Sequence, residues 1–401
     1  MKKTIVLITS FISLTACGSD EIANGMQYEF PECGISQLNG KNIQKVCATR
    51  DSIAKSVSKD YTPKFLQILV GAGHTSSYSG GRPGLILDFQ NQELDMQGHI
   101  WDFSKQGNPG LVLVGHDSII RNGIILNVNI VLGHIYSPPN FSTGEQYNNS
   151  NVDKGINPDI IKYGFLYADN EYDCKKGTYV PCTINQLIKL ENAQILNKRE
   201  NIFLKNIKNK ANVLSLRSWG GGIVNSKFIL KNRINIYGSK ATILQNQIIS
   251  QTKLGENSIL SKDKAGSNKI IFSLTKTSSS RLIDKSPQIF PDGNNDTTAI
   301  PNALYIKFSP DTIIDGNTFT LTHKNDQAYA IVLDHSPRVR ISNNTFNGFK
   351  VPILMDQWSS IVDENGKEIK PENFNDYGNT INPNKYAGNV TMNRKGEIVK
   401  E

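Results

Sequence analysis

Residues 303–319 read ALYIKFSPDTIIDGNTF, and residues 330–346 read AIVLDHSPRVRISNNTF. The two stretches are offset by 27 residues and align without a gap. Seven aligned pairs are identical: Ala303/Ala330, Ser309/Ser336, Pro310/Pro337, Ile314/Ile341, Asn317/Asn344, Thr318/Thr345 and Phe319/Phe346. An internal repeat of this length indicates a solenoid, in which each repeat forms one coil that stacks on the next.

The same pattern of short apolar strands extends over much of the chain. From about residue 65, apolar runs such as GLILDF, GLVLVG and RINIYG alternate with polar segments rich in Gly and Asn. Many units end in an apolar-x-x-Asn-x-apolar motif, as in TILQNQI at residues 242–248. Asn suits such corners because it tolerates the left-handed backbone conformation, and Asn amides at one place in each coil can stack. Propeller blades need longer repeats and sandwich strands are spaced more closely, so these two alternatives fit less well.

The stretch SIIRNGII at residues 118–125 and the two repeats ending in NTF resemble the right-handed parallel β-helix superfamily of pectate lyases, phage tailspikes and alginate-modifying enzymes. The resemblance implies an all-β, single-stranded solenoid whose strands pair in parallel. We predict the β-helix over residues 65–350, with a loop insertion near 137–184 and a polar C-terminal cap and tail over 351–401. The residues of these motifs suit the turns between strands, so the resemblance concerns the fold more than the function.

The first residues, MKKTIVLITSFISLTAC, predict an exported lipoprotein. A basic start is followed by an apolar run that is too short to span a bilayer as a helix. The run ends in LTAC, which resembles the lipobox of bacterial lipoproteins and implies removal of residues 1–16 and lipid attachment to Cys17. Residues 17–64 then form a linker and N-terminal cap. We expect a bacterial cell-envelope protein, periplasmic or surface-exposed, with a lipid anchor; an ordinary secretion signal that removes Cys17 is the alternative.

The four remaining cysteines are an even number in an oxidising compartment, which favours disulfides. Proximity in sequence favours Cys33–Cys47 and Cys174–Cys182 among the three possible connectivities. Zinc is disfavoured because the chain has no C-x-x-C spacing and its 6 histidines are scattered. We expect no cofactor. Ca²⁺ at the oxygen-rich turn of residues 292–296 is a less favoured alternative, since the closing Glu of an EF-hand is absent.

The chain contains 44 Lys and Arg against 36 Asp and Glu, a formal net charge of +8 at pH 7. The charges are spread along the sequence rather than grouped in runs. An envelope protein is not expected to meet nucleic acid. A mild basic excess suits an anionic polysaccharide or anionic lipid head groups as partners, in addition to the membrane that holds the lipid anchor.

Strand periodicity divides the side chains of each apolar strand into inward and outward positions. In LIKLEN, VLSLRSW and RINIYG, as in the two repeats, alternate Ile and Leu residues point inward. Stacked in one sheet, the outward residues would form a single stripe of cationic, acidic and aromatic side chains. The predicted stripe comprises Lys189, Glu191, Arg217, Asn235, Tyr237, Tyr305, Lys307 and Asp334. Lys307 and Asp334 are expected on successive rungs, about 4.8 Å apart.

These residue types suit a uronate polysaccharide, because aromatic faces contact sugar rings and Arg can grip a carboxylate with two hydrogen bonds. A lyase of the β-helix kind needs a cation to neutralise the uronate carboxylate and a base to remove the C5 proton. We predict that Arg217 with Tyr237 or Lys307 fills these roles. His134 and Tyr136 are a second candidate pair. The predicted substrate-binding residues are Lys189, Glu191, Asn235, Tyr305 and Asp334.

Several sequence patterns of β-helix enzymes are absent. The chain lacks the carboxylate motifs of polygalacturonases and the Asp-Pro-His-Asp pattern of alginate epimerases, and the calcium-binding carboxylates of pectate lyases are not evident. These absences weigh against an enzyme. The expected function is a carbohydrate-active β-helix protein that acts on an anionic polysaccharide, by lyase-type β-elimination if it is an enzyme. The alternative is a non-catalytic lipoprotein that binds a glycan or a protein.

Overall fold

The computed structural model is a parallel β-helix, which confirms the all-β solenoid predicted from the repeat. Three long sheets wrap around one apolar core, and the described residues contain a single short 3₁₀ helix, Pro371–Tyr377. The structure describes residues 30–53, 85–103, 110–127, 129–133, 187–196, 214–218, 220–231, 233–236, 240–251, 302–307, 309–326, 328–334, 336–355, 359–393 and 395–401.

Sheet A has nine strands. In order along the sheet they are β1 (Glu32–Leu38), β2 (Lys41–Cys47), β5 (Gln92–Asp95), β8 (Ser118–Arg121), β11 (Ile188–Glu191), β14 (Gly222–Val224), β17 (Thr242–Leu244), β20 (Ile313–Asp315) and β23 (Arg340–Ser342). Strand β1 is antiparallel to β2, and every later neighbour in the sheet pairs in parallel.

Sheets B and C have nine and eight parallel strands. Sheet B comprises β3 (Ser52–Ile53), β6 (Ile100–Asp102), β9 (Ile124–Leu126), β12 (Gln194–Leu196), β15 (Lys227–Leu230), β18 (Gln247–Ser250), β21 (Thr318–Leu321), β24 (Thr345–Asn347) and β26 (Thr380–Asn382). Sheet C comprises β4 (Leu85–Gln90), β7 (Gly110–His116), β10 (Asn129–Gly133), β13 (Leu214–Arg217), β16 (Ile234–Ile236), β19 (Asn302–Lys307), β22 (Tyr329–Asp334) and β25 (Ile353–Met355).

Each complete coil crosses sheets C, A and B in that order, and the 27-residue echo is one such coil. Strands β19, β20 and β21 form the first copy, and β22, β23 and β24 form the second. Ile314 pairs with Ile341 in sheet A, and Phe319 pairs with Phe346 in sheet B. The identical residues therefore lie on adjacent rungs, as the repeat predicts.

The core is built from the inward column of each sheet. In sheet A, one column runs through Ile223, Ile243, Ile314 and Ile341, all at most 1% exposed. Burying one such side chain contributes roughly 1.5–3 kcal/mol, so stacked columns of Ile and Leu supply most of the driving force for winding the chain.

The corner between sheets A and B combines two residues with different tasks. The first adopts a left-handed conformation, as in Asn225 (φ 47°), Gln245 (φ 55°) and Asn343 (φ 55°). The residue after it turns its side chain into the protein and is buried, as Asn246 and Asn344 are. The Asn of the apolar-x-x-Asn-x-apolar motif is thus the buried residue of the corner, and the residue before it makes the turn.

The buried corner residues form an amide ladder along the helix, which confirms the predicted stacking. Asn317 Oδ1 accepts hydrogen bonds from the backbone N–H and the Nδ2 of Asn246, both at 2.9 Å. Asn344 Oδ1 accepts the corresponding pair from Asn317 at 2.9 and 3.0 Å. Asn379 Oδ1 continues the ladder at 3.1 Å from the backbone N–H of Asn344, and Ser226 begins it by donating its N–H to Asn246 Oδ1.

The N-terminal end of the core is closed by β1 and by Phe30, two residues before it. The Phe30 ring lies 6.4 Å from that of Phe89 and 6.1 Å from that of Trp101, measured between ring centroids. The Cys33–Cys47 disulfide, with a Cα–Cα distance of 5.9 Å, ties β1 to β2 and confirms this predicted pairing. Cys17, Cys174 and Cys182 lie outside the described residues.

The C-terminal end of the core is closed by the 3₁₀ helix. Its buried Phe374 packs on Phe346 at 6.0 Å between centroids, and Phe346 stacks on Phe319 at 5.3 Å with nearly parallel planes. The helix follows Lys370 and ends at Gly378, whose φ is 75°. An aromatic stack therefore extends the core to its last turn.

The segment after β26 folds back along the outside of sheet B as a strap, which we define as residues 387–401. Its hairpin, β27 (Val390–Met392) and β28 (Ile398–Lys400), packs against the apolar outward column of that sheet. A Cβ at Gly396 would lie 1.4 Å from Gln194 Oε1, so the strap approaches β12 closely. The covered residues are Ile124, Leu196, Ile229 and Ile249, each at most 5% exposed.

The β-helix extends to both sides of the predicted range of 65–350. Strand β2 pairs with β5 through Gln44–Gln92, and β26 pairs with β24 through Thr380–Thr345. The sequence after residue 351 is polar because much of it forms short turns. Its few apolar residues close the end of the core, as Phe374 does, or cover sheet B, as Val390 and Met392 do. The insertion near 137–184 lies outside the described residues.

Candidate functional site

The predicted single stripe is divided between two sheets, which corrects the sequence prediction. Lys189 and Glu191 lie on β11 in sheet A, whereas Arg217, Asn235, Tyr305, Lys307 and Asp334 lie on strands of sheet C. The physical reason is that period-two alternation separates inward from outward positions but does not say which of three sheets a strand joins.

Sheet C brings three of the candidate positions, together with Gly133, into one column at the carboxyl ends of its strands. Gly133 pairs with Arg217, and Lys307 pairs with Asp334. Leu216 and Ile306 both align with Ile236 of the intervening strand, so Arg217 and Lys307 are two rungs apart, about 9.6 Å along the axis. We call Gly133, Arg217, Lys307 and Asp334 the sheet C column. The predicted Lys307–Asp334 neighbourhood is confirmed at the level of strand register.

Three predicted catalytic residues lie outside the described part of the chain. Tyr237 directly follows Ile236, the last residue of β16. His134 directly follows Gly133, the register partner of Arg217, and Tyr136 comes two residues later.

Asn235 and Tyr305 alternate with core residues as predicted, but they are not accessible. Each is 1% exposed, and the Arg233 guanidinium lies 4.3 Å from the centroid of the Tyr305 ring. Their predicted exposure on a sugar-binding surface is therefore wrong in this structure. An outward position on a strand becomes a surface position only where no other part of the protein packs over it.

A charged network on the outer face of sheet A was missed by the sequence analysis. Lys45 Nζ lies 2.6 Å from Asp95 Oδ2 and 3.9 Å from Glu93 Oε1. The Arg121 guanidinium lies 3.3 Å from Glu93 Oε2 and 3.3 Å from Glu191 Oε2. We call Lys45, Glu93, Asp95, Arg121 and Glu191 the sheet A network. Its sequence signal was the presence of charged residues next to inward Leu and Ile in QELD and SIIR.

The sheet A network is largely internal. Glu93 is 1% exposed and Asp95 is 6% exposed, and Ser36 of β1 donates its hydroxyl hydrogen to Glu93 Oε2. Glu191, predicted to bind substrate, instead pairs with Arg121. The two cations offset two of the three carboxylate charges, and the ion pairs join four consecutive strands of sheet A.

Asp95 is the carboxyl whose pKa is most clearly changed by this network. Burial desolvates the carboxyl and by itself would raise the pKa. Hydrogen bonds from Lys45, the Gln97 backbone N–H and Asn122, together with the charge of Lys45, outweigh burial and hold the pKa below its usual value. The folded protein thus favours the ionised form.

We expect Asp95→Asn to destabilise the protein at neutral pH by about 1–3 kcal/mol, the typical contribution of hydrogen bonds to a charged group. A carboxyl whose folded pKa is lowered stabilises the protein above its unfolded pKa of about 4, and this contribution is lost as the pH falls through the folded value. Urea unfolding at neutral and acidic pH should therefore show a difference between wild type and variant that shrinks on acidification.

The matched control for this prediction is Asp363→Asn. Asp363 Oδ1 accepts the backbone N–H groups of Asn365 and Lys367 in an exposed turn, which an Asn oxygen can also do. Its effect on the free energy of unfolding should be small. An Asp95→Asn penalty that stays constant down to acidic pH would contradict the assigned ionisation.

Two half-exposed cations on sheet A make no ion pair or hydrogen bond with the described part of the chain. Lys189 and Arg340 occupy one outward column, which continues from Lys189 through Gly222, Thr242 and Ile313 to Arg340. They are four rungs apart, about 19 Å. A repeating anionic polymer lying along the sheet could contact both.

Among the described residues, no group of three or more His, Cys, Asp or Glu side chains is placed to hold a metal ion. The turn at residues 292–296 lies outside that part of the chain. A search of the same residues finds no helix with the length and apolar character needed to cross a membrane.

The three long sheets define the class of this protein as a parallel β-helix. No family model matches the chain, and neither a curated protein nor a solved structure matches it. Functional inference therefore depends on the residues themselves.

Proposed function

We propose that this protein is a carbohydrate-active β-helix of the pectate-lyase-like kind that acts on a uronate-type anionic polysaccharide at the sheet C column. The observation that carries the proposal is the register that aligns Arg217 with Lys307 and Asp334 and sets Gly133, the residue before His134, beside Arg217. A cation and several groups able to accept a proton thus belong to one end of one sheet.

The proposed reaction is a β-elimination. Arg217 neutralises the uronate carboxylate, which makes the C5 proton more acidic. Tyr237, Lys307 or His134 removes that proton, the electron pair forms the C4–C5 double bond, and the C4–O glycosidic bond breaks. The leaving oxygen takes a proton from a neighbouring acid, for which Tyr136 is the candidate.

The proposed location is the bacterial cell envelope, with the β-helix held to a membrane through a lipid on Cys17. The support for this is the basic and apolar start of the chain and its LTAC sequence. The Cys33–Cys47 disulfide is in keeping with an oxidising compartment. Mass spectrometry of the mature protein, before and after Cys17→Ser, would test the lipid.

A non-catalytic glycan-binding protein is the second candidate, and Lys189 and Arg340 favour it. Their separation of about 19 Å along the outer face of sheet A matches several sugar units of an extended chain. Binding there would be electrostatic and would weaken as the salt concentration rises. In this case the sheet C column would not be needed.

The two functions are separated by incubating the purified protein with uronate polymers and following ultraviolet absorbance from unsaturated ends. We expect Arg217→Ala and Tyr237→Phe to lower the rate by 10²-fold or more, the usual range for a lost acid–base or electrostatic group. Lys227→Ala is the matched control, because Lys227 is a half-exposed strand lysine on sheet B.

Retention on the polymer without products would favour the binding protein. If Lys189→Ala and Arg340→Ala then lose this binding and Lys227→Ala keeps it, the polymer binds to sheet A. If the Arg217 and Tyr237 variants keep full activity and binding, the sheet C column is scaffold and the proposed site is wrong.

A further inference from the structure

Strand β1 is the terminal strand of sheet A, and only one of its edges is paired within the described residues. Its order in the sheet is β1 followed by β2, with no strand on the other side. Most of its residues are exposed, and Ile35 is 74% exposed, the one large hydrophobic side chain of the described residues in that state. The backbone groups of the free edge point along the axis of the β-helix, away from its coils.

Natural proteins protect such edges with charged residues, prolines, short strands or covering segments. Strand β1 has the sequence ECGISQL, with seven residues, one charge and neither Lys nor Pro. A register shift lies between Glu32 and Gly34, while the positions from Gly34 to Leu38 pair regularly with β2. The regular part of this edge is therefore open to another strand.

The edge is held in place before any partner arrives. The Cys33–Cys47 disulfide joins β1 to β2. Side-chain hydrogen bonds also join Gln37 to Asn42 of β2 and Ser36 to the buried Glu93 of β5. Because β1 is already ordered, pairing with another strand costs little conformational entropy.

We propose that β1 is a dimerisation edge that pairs in antiparallel fashion with β1 of a second copy of this chain. A twofold axis through Ile35 places Ile35 opposite its own copy and makes one continuous sheet from the two A sheets. In that register Glu32 lies opposite Leu38 of the second copy, so the single charge of β1 does not face itself. The contact is closed, because the twofold axis makes both copies use the same strand.

Disulfide trapping tests the contact and its register. Residues directly opposite each other in an antiparallel pair have Cα atoms about 4.5–5.5 Å apart, within the range of a disulfide. The full chain carrying Ile35→Cys should form a covalent dimer on mild oxidation, at a yield several-fold above wild type. Lys41→Cys is the control, because Lys41 is exposed on β2, one strand behind the edge, and both edges of β2 are already paired.

Sedimentation of the unmodified chain should show a dimer, and Ile35→Lys should convert it to a monomer. Retention of the Cys33–Cys47 disulfide and of the β-sheet circular dichroism signal shows that the variant remains folded. A wild-type monomer, a dimer that survives Ile35→Lys, or equal trapping at positions 35 and 41 would each overturn the proposal.

Discussion

Asn317→Ala should lower the free energy of unfolding by about 4 kcal/mol, since each buried polar group left unsatisfied costs about 1–3 kcal/mol. Asn317 Oδ1 accepts two hydrogen bonds from Asn246, and its Nδ2 donates to the backbone carbonyl oxygen of Ile243 at 2.7 Å. Alanine leaves these groups without partners between two adjacent coils. Equilibrium unfolding in urea, followed by circular dichroism, measures the loss.

Asn384→Ala is the matched control for the ladder. Asn384 lies in an exposed turn, and no hydrogen bond of its side chain is formed with the described residues. Its replacement should change stability by less than about 0.5 kcal/mol. If the two variants are equally stable, the hydrogen bonds of the amide ladder do not contribute to stability, and the proposed role of the buried corner Asn residues is wrong.

Met392→Asp should detach the strap from sheet B. Met392 is 8% exposed and packs in one cluster with Val390, Ile229 and Ile249. A carboxylate there must either lose its hydration or leave the contact, and leaving is cheaper because only the terminal segment has to move. We expect a several-fold increase in hydrophobic dye binding and rapid proteolysis after β26.

The matched control for the strap is Lys395→Ala, in the exposed turn of the same hairpin. This variant should keep the dye binding and protease resistance of wild type. Intact C-terminal residues in Met392→Asp after limited digestion, shown by mass spectrometry, would mean that the strap is held mainly by contacts other than its apolar side chains.

Much of the fold could be predicted because its rules are local. Alternation of Ile and Leu predicts which side chains face inward, and the motif containing Asn predicts a corner. The Ser-Pro identities of the echo also acquire a reason, since Ser336 Oγ accepts the backbone N–H of Ser309 and Ser359 Oγ accepts that of Ser336. These two hydrogen bonds link three successive coils, and the identical Ser of the two stretches marks their position.

The candidate site was harder to predict, because it depends on which strands become neighbours. Arg121 and Glu191 are 70 residues apart in sequence and yet form an ion pair on adjacent rungs. The length of an insertion does not change the register of the strands that it connects. The number of residues between two strands therefore does not predict which sheet each strand joins. For this reason the sequence did not show that Lys189 and Glu191 lie on a different sheet from Arg217.

The sequence by itself determined the coil, the inward columns and the corners, since these follow from backbone periodicity and from side chains within a few residues. Only the tertiary structure decided the three-sheet arrangement of outward residues, the burial of Asn235 and Tyr305, the pairing of the sheet A network and the return of the strap over sheet B. Those features are contacts between segments distant in sequence, and their energies depend on what packs against each surface rather than on the residues beside them in the chain.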